Sequence, residues 1–481
     1  MKKLLLLPLM LVSLLAGAQN TKELDRVVKG ITNEVSFRHA SLAVSVFNIT
    51  KNTTVYQHDG QRSLSPASLN KLFTTAVGFD KLGSDFRFKT SLAYDGNIDE
   101  KGVLHGNVYI IGGGDPMLGS YRYRQTTPDS MFAAWMKAIV SQGIKSIEGR
   151  ICYDPSIFDD QPLHDSWQWG DIGNYYGCGA CGLNFHENMY FIYFNPAGSL
   201  NSPATIASTS PANIDVKTIN EVITGSAGSG DQVIVYGTPS GNERLCRGSV
   251  PLGRNKFPIK ASLPNPAHTC ASQFASYLRN NGISISSSVS EVFSKRKKDL
   301  LPVIDFNSEK YYTIAQYTNL TSNNMYAESI FKYLGYHIYG NGSYENGGRV
   351  IQDFFKNHHL ESSGVKVVDG SGLSRLNRVT TDFVCRFLTE VSKMPIYNDF
   401  SMSLGKVGES GTVRNMLPNL PSNIDLRVKS GSMADVRGYA GYLTTSKGEL
   451  ICFSIVANGF DGSGAQARQK LEQIIYEIAK M

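Results

Sequence analysis

The chain has 481 residues, 41% of them apolar and 18% charged, with a net charge of +6. A chain of that length and apolar content can bury a large core in two or three domains, which excludes a disordered polymer, and its 46 glycines follow no period. The positive balance is too small to indicate a nucleic-acid partner, and the run Lys295-Arg296-Lys297-Lys298 reads as a solvated loop.

In chain order, Lys2 and Lys3 precede an apolar run over residues 4–15 and the small-residue site Ala16-Gly17-Ala18. That pattern predicts a signal peptide over residues 1–18, cleaved after Ala18. The run is shorter than the roughly 20 residues that span a bilayer, and no cysteine follows it to take a lipid. No later stretch is long and apolar enough to insert, so no stable membrane insertion is expected. Residues 40–47 alternate as a strand, residues 48–52 supply a turn, and residues 53–56 read as the returning strand. Pro66 then introduces a helix over residues 67–82, with Leu69, Leu72, Phe73, Ala76, Val77 and Phe79 at helical spacing. The middle of the chain is rich in Gly, Asn, Ser and Pro with short alternating runs, and predicts one or two mostly β domains inserted over residues 91–299. The catalytic-type domain is then discontinuous, 19–90 and 300–481. Near the C-terminus Val428-Lys429 closes a strand, residues 439–445 and 450–458 form a hairpin, and residues 465–481 an amphipathic helix.

Seven cysteines leave at least one outside any disulfide scheme. Cys178-Gly179-Ala180-Cys181 has no second CxxC and no His pair at metal spacing, so it reads as a local structural pair or two buried thiols, with no metal site. Trp167, Trp169, Tyr175 and Tyr176 read as an aromatic domain core rather than a sugar platform.

The chemistry concentrates in three short motifs. Ser68-Leu69-Asn70-Lys71 opens the first predicted helix, and residues three apart share a face, which brings an amine to a hydroxyl. A serine needs a base to become a nucleophile, and a desolvated lysine can serve. The spacing alone is weak, because Ser294–Lys297, Ser363–Lys366 and Ser403–Lys406 repeat it. Only Ser68 follows a proline and opens an apolar-periodic helix. Ser322-Asn323-Asn324 precedes a second helical pattern, and Lys429-Ser430-Gly431-Ser432 lies at the predicted end of a strand, where the glycine admits a substrate backbone alongside. In that order, on those elements, the three motifs are the set shared by penicillin-binding proteins and serine β-lactamases. The turn Asp369-Gly370-Ser371-Gly372-Leu373-Ser374 is expected to pack beside the site.

With these residues the chain resembles the low-molecular-mass class C penicillin-binding proteins, a family of D-Ala-D-Ala carboxypeptidases and endopeptidases. The resemblance extends to Pro66-Ala67, the segments 113–118, 174–177 and 369–374, Gly411-Thr412, and the roughly 250 residues that separate Ser68 from Ser322. It implies an α/β (α+β) penicillin-binding or serine β-lactamase-like core with a large, mostly β insertion. It implies a periplasmic hydrolase acting on peptidoglycan stem peptides, without cofactors, and inhibited covalently by β-lactams. Ser68 would be the nucleophile, Lys71 its base, Ser322 the proton relay to the leaving amine, and Asn324 would orient Lys71 and the substrate amide. Lys429, Ser430, Gly431 and Ser432 would bind the substrate, and the N–H groups of Ser68 and Ser432 would form the oxyanion hole. The alternatives are a β-lactamase or esterase on the same core, and a catalytically silent peptidoglycan-binding scaffold.

Overall fold

A computed structural model describes residues 21–292 and 299–481. The expected signal peptide, the basic run 295–298 and the pair Ser294–Lys297 lie outside the described residues. The described residues divide into two compact units, one of residues 21–84, 315–323 and 348–481, the other of residues 85–292, 299–314 and 324–347.

The first unit is built on a six-stranded antiparallel sheet, in spatial order Gly405–Lys406, Asp425–Met433, Val436–Thr444, Leu450–Asn458, Ser41–Asn48 and Thr53–His58. Strand alternation divides its side chains between two faces. Leu42, Val44, Leu426, Val428, Phe453 and Ile455 join a core with Ala467, Leu471, Ile474 and Ile478 of the C-terminal helix Gly464–Ala479. That helix starts at Ser463, whose side chain and that of Gln466 cap each other's backbone N–H groups. On the opposite face Ser45 meets Thr381 of the helix Thr381–Val391, with hydroxyls 2.9 Å apart. The buried Phe73, on the helix Lys71–Leu82, packs edge-on against Phe355, Phe383 and Phe387.

The strand Asp425–Met433 runs through the Lys-Ser-Gly motif, where the sequence placed the motif at a strand end. Gly431 pairs with Gly438 on the neighbouring strand, and the two bare backbones form a notch that receives Leu69. A Cβ on Gly431 would lie 2.6 Å from the Pro66 carbonyl oxygen. The glycine therefore admits the serine-bearing turn itself against the sheet, a tighter reason for its presence than room for a substrate.

Among the described residues the second unit carries four sheets. A five-stranded and a four-stranded sheet share a core with the helices Pro128–Ser141 and Pro266–Asn280, including Trp135, Phe132 and Phe274. Two three-stranded sheets enclose a second cluster around Tyr190, Ile192, Val222 and Val235. All seven cysteines are free thiols. Burial pushes the Cys178 and Cys181 thiols up to about 12 and about 11.

Gly431→Ala is expected to lower the unfolding free energy of the protein by about 1–3 kcal/mol, because backbone must move to accommodate the methyl. A denaturant midpoint equal to wild type contradicts the notch.

Candidate active site

Ser68 sits in a 3-10 turn, Ala67–Asn70, that runs directly into the helix Lys71–Leu82. In a 3-10 turn side chains three apart eclipse each other, which aligns Ser68 with Lys71 more closely than an α-helix does. Lys71 Nζ donates to Ser68 Oγ at 2.9 Å and to the Ser371 carbonyl at 2.8 Å, and the Lys71 residue is fully buried. The turn is strained. Ala67 has φ +46°, a left-handed conformation that costs a residue with a Cβ about 1–3 kcal/mol. Surrounding bonds hold it. Asn458 accepts from the Ser65 N–H and donates to the Ser65 carbonyl, and Leu64 bridges Val379.

Ser322 occupies the tight link between the helices Tyr311–Thr321 and Asn324–Tyr339, again left-handed at φ +56°. Lys429 Nζ donates to Ser322 Oγ at 2.9 Å and to the Ser430 carbonyl at 2.7 Å, while Ser430 Oγ meets Thr412 Oγ1 at 2.7 Å. Lys429 is fully buried and forms no ion pair among the described residues. Burial, with repulsion from the Lys71 ammonium second, pushes its pKa well below the ordinary lysine value. Two amines thus share one desolvated region. Ser432 lies further along the same strand, exposed. The short strand Gly405–Lys406 pairs only with Arg427 and Val428, so from Lys429 onward the outer edge of this strand has no partner strand among the described residues.

Asn324 belongs to the second unit, at the first position of its helix. Its Nδ2 donates to the Tyr176 carbonyl at 2.7 Å. The aromatic segment around it is not the buried core the sequence suggested. Trp167 is buried, but Trp169, Tyr175 and Tyr176 are 59%, 48% and 37% exposed. They stand on a four-residue helix and a 3-10 turn, elements too short to bury a face. Trp169 packs at a tilt against Tyr236, and Lys260 sits over the Tyr175 ring. Neither remaining Ser-Lys pair at threefold spacing shares one helix: Ser363 lies in a turn, and Ser403 ends a helix before Lys406 enters a strand.

The turn 369–374 contributes more than packing. Its carbonyls face the serine-bearing helix: Asp369 O accepts from Asn70 Nδ2, Gly370 O from Thr74 Oγ1, and Ser371 O from Lys71 Nζ. The buried Asp369 carboxylate organises the turn by accepting from the Gly372 N–H, the Ser374 N–H and Asn377 Nδ2. Gly372, at φ +85°, has no room for a side chain, since a Cβ would stand 1.9 Å from the Ala67 carbonyl. Backbone acceptors of this kind leave no mark on residue type; only the Asp-Gly-Ser-Gly string hinted at them.

Residues 24–479 match the model of the D-Ala-D-Ala carboxypeptidase 3 (S13) family. A D-alanyl-D-alanine carboxypeptidase of Actinomadura sp. (strain R39) is 28% identical over 469 residues, covering 94% of this chain and 84% of that protein. In fold, the crystal structure of penicillin-binding protein 4 from Haemophilus influenzae superposes with a TM-score of 0.78 at 22% identity, over 90% of this chain and 94% of that one. The same Haemophilus protein complexed with a novel β-lactam gives 0.75 at 21% identity, over 92% and 96%.

Asp369→Ala leaves three donors without their buried acceptor, and each such loss costs about 1–3 kcal/mol. Chemical unfolding should show a loss of about 3 kcal/mol or more. An unchanged midpoint contradicts the clamp.

Proposed function

Because this chain belongs to the D-Ala-D-Ala carboxypeptidase 3 (S13) family, we propose that it is a periplasmic serine hydrolase that cleaves D-Ala-D-Ala ends of peptidoglycan stem peptides, and cross-links of the same chemistry, through an acyl-enzyme on Ser68. The observation that carries the reading is the 2.9 Å bond between the buried Lys71 amine and Ser68 Oγ.

In this mechanism an unprotonated Lys71 takes the Ser68 proton as Oγ attacks the carbonyl carbon of the penultimate D-alanine. The N–H groups of Ser68 and Ser432 stabilise the oxyanion, an effect worth several kcal/mol in such sites. Collapse of the tetrahedral intermediate breaks the C–N bond, and the departing amine takes the proton that Lys71 had accepted, relayed through the Ser322 hydroxyl, which Lys429 holds at 2.9 Å. Water then attacks the ester, returns a proton through Lys71 and frees Ser68. Protonated Lys429 attracts the substrate's terminal carboxylate, with the hydroxyls of Ser430 and Ser432 beside it. Gly431 seats the serine-bearing turn against this strand, and Asn324 orients the substrate amide. A β-lactam presents a comparable amide and acylates Ser68 as an inhibitor. The intact set of nucleophile, base and relay argues against a silent binding scaffold.

Ser68→Ala should abolish release of D-alanine from a stem pentapeptide, at least about a thousandfold below wild type. Mass spectrometry of digested muropeptides separates the two activities: loss of a terminal D-alanine reports carboxypeptidase action, and dimers converted to monomers report endopeptidase action. Undiminished D-alanine release by the variant would overturn the proposal. A second prediction follows from Lys429. Its lowered pKa means the cation is lost at a lower pH than an ordinary lysine, so kcat/KM should decline on the alkaline side below about pH 10.5. Lys429→Arg, which keeps its charge, should move that limb upward. Coincident alkaline limbs contradict carboxylate binding by Lys429.

A further inference from the structure

The second unit contains a strained turn that the mechanism above does not use. His186, Glu187 and Asn188 all have φ between +51° and +56°, three consecutive residues in the left-handed region. Each costs roughly 1–2 kcal/mol there, so the surrounding structure must hold the turn in place. Glu187 is 6% exposed, although it pairs with an arginine, Arg122, whose side chain is 45% exposed. An ordinary surface ion pair leaves both partners in water. Here the acid is drawn inside, a placement that is costly unless its oxygens are fully engaged.

They are. Glu187 Oε1 accepts from Ser120 Oγ at 2.7 Å, Arg122 Nε at 3.0 Å and Tyr326 OH at 3.1 Å, and Oε2 accepts from Arg122 Nη2 at 3.3 Å. Tyr326 lies in the first turn of the helix Asn324–Tyr339. Three residues on, Ser329 Oγ accepts from Asn184 Nδ2 at 3.1 Å, and Asn184 Oδ1 in turn accepts from Asn188 Nδ2 at 2.7 Å. Residues 326 and 329 share a helix face, so the strained segment grips the start of this helix at two successive points. The contacts close into a ring. Asn324 Nδ2 donates to the Tyr176 carbonyl, the Cys178 thiol donates to the adjacent Tyr175 carbonyl at 2.9 Å, and Cys178 Sγ lies 3.7 Å from the Glu187 carbonyl. A carbonyl can only accept, so the Tyr176 bond fixes which end of the Asn324 amide faces it and which end, Oδ1, is turned away.

We infer that Glu187 is a positioning residue: by holding Tyr326 and the turn 186–188, it fixes the helix start and hence the direction of the Asn324 amide. The inference rests on the proposed role of Asn324 in orienting the substrate amide.

The test is the rate of acylation by a fluorescent penicillin, normalised to the sites labelled at completion, together with kcat and KM for D-alanine release. Glu187→Gln keeps the shape but places a donor among donors, and Tyr326→Phe removes one hydroxyl only. Both should slow acylation per site by about tenfold, in the range that misplacement by a fraction of an ångström produces, and should lower kcat more than they raise KM. Glu187→Gln added to Asn324→Ala should cost less than about threefold further, because the two act through one amide. Wild-type rates per site in Tyr326→Phe, or an undiminished tenfold loss from Glu187→Gln in the Asn324→Ala background, overturn the inference. If Glu187→Gln does not fold, Tyr326→Phe decides. Failure of the wild type to label at Ser68 overturns the functional reading itself, and is told apart by that control.

Discussion

Two lysines buried beside the same serine-bearing turn set the terms for everything else in the first unit. Out of water each ammonium is costly, and each raises the cost of the other. Lys429 shows the consequence directly: its partners are neutral oxygens, and both burial and the neighbouring amine favour its uncharged form. Lys429 therefore gives up its proton more readily than an ordinary lysine. In the proposed mechanism Lys71 acts as a base and Lys429 as a cation, and an incoming substrate carboxylate would stabilise charge on Lys429.

The fold exists to hold these amines where water would otherwise disperse them. Strand alternation sends Leu426 and Val428 into the core with the C-terminal helix, and Lys429 and Gly431 to the opposite face. The Gly431–Gly438 notch seats Leu69, which fixes the depth of the turn carrying Ser68. Strain at Ala67 and Ser322 is tolerated because neighbouring bonds, from Asn458 to Ser65 and from Lys429 to Ser322, hold both positions.

Much of this was legible in the sequence because it is written in residue type and spacing. The Ser68–Lys71 interval, the helix after Pro66 and the C-terminal hairpin and helix are local patterns, and the three motifs fall on the elements they require. What escaped was set by backbone and by distance. The carbonyls of residues 369–371 carry no residue-type mark, yet one of them holds Lys71. The strand Asp425–Met433 continues past Lys429 because pairing with Val436–Thr444 outweighs the weak strand propensity of Gly431. The exposed Trp169, Tyr175 and Tyr176 looked like core because composition alone does not reveal that their elements are too short to bury a face. Glu187 gave no signal at all, since its donors come from positions 65 to 139 residues away.

The central claim is that the Lys71 amine makes Ser68, and no other serine, the group that is acylated. Digestion of the penicillin-treated protein followed by tandem mass spectrometry tests it most directly. The account predicts a single penicilloyl adduct on Ser68 that is lost when Lys71 is replaced by alanine. An adduct on another residue, or one on Ser68 that forms as fast without the Lys71 amine, contradicts it.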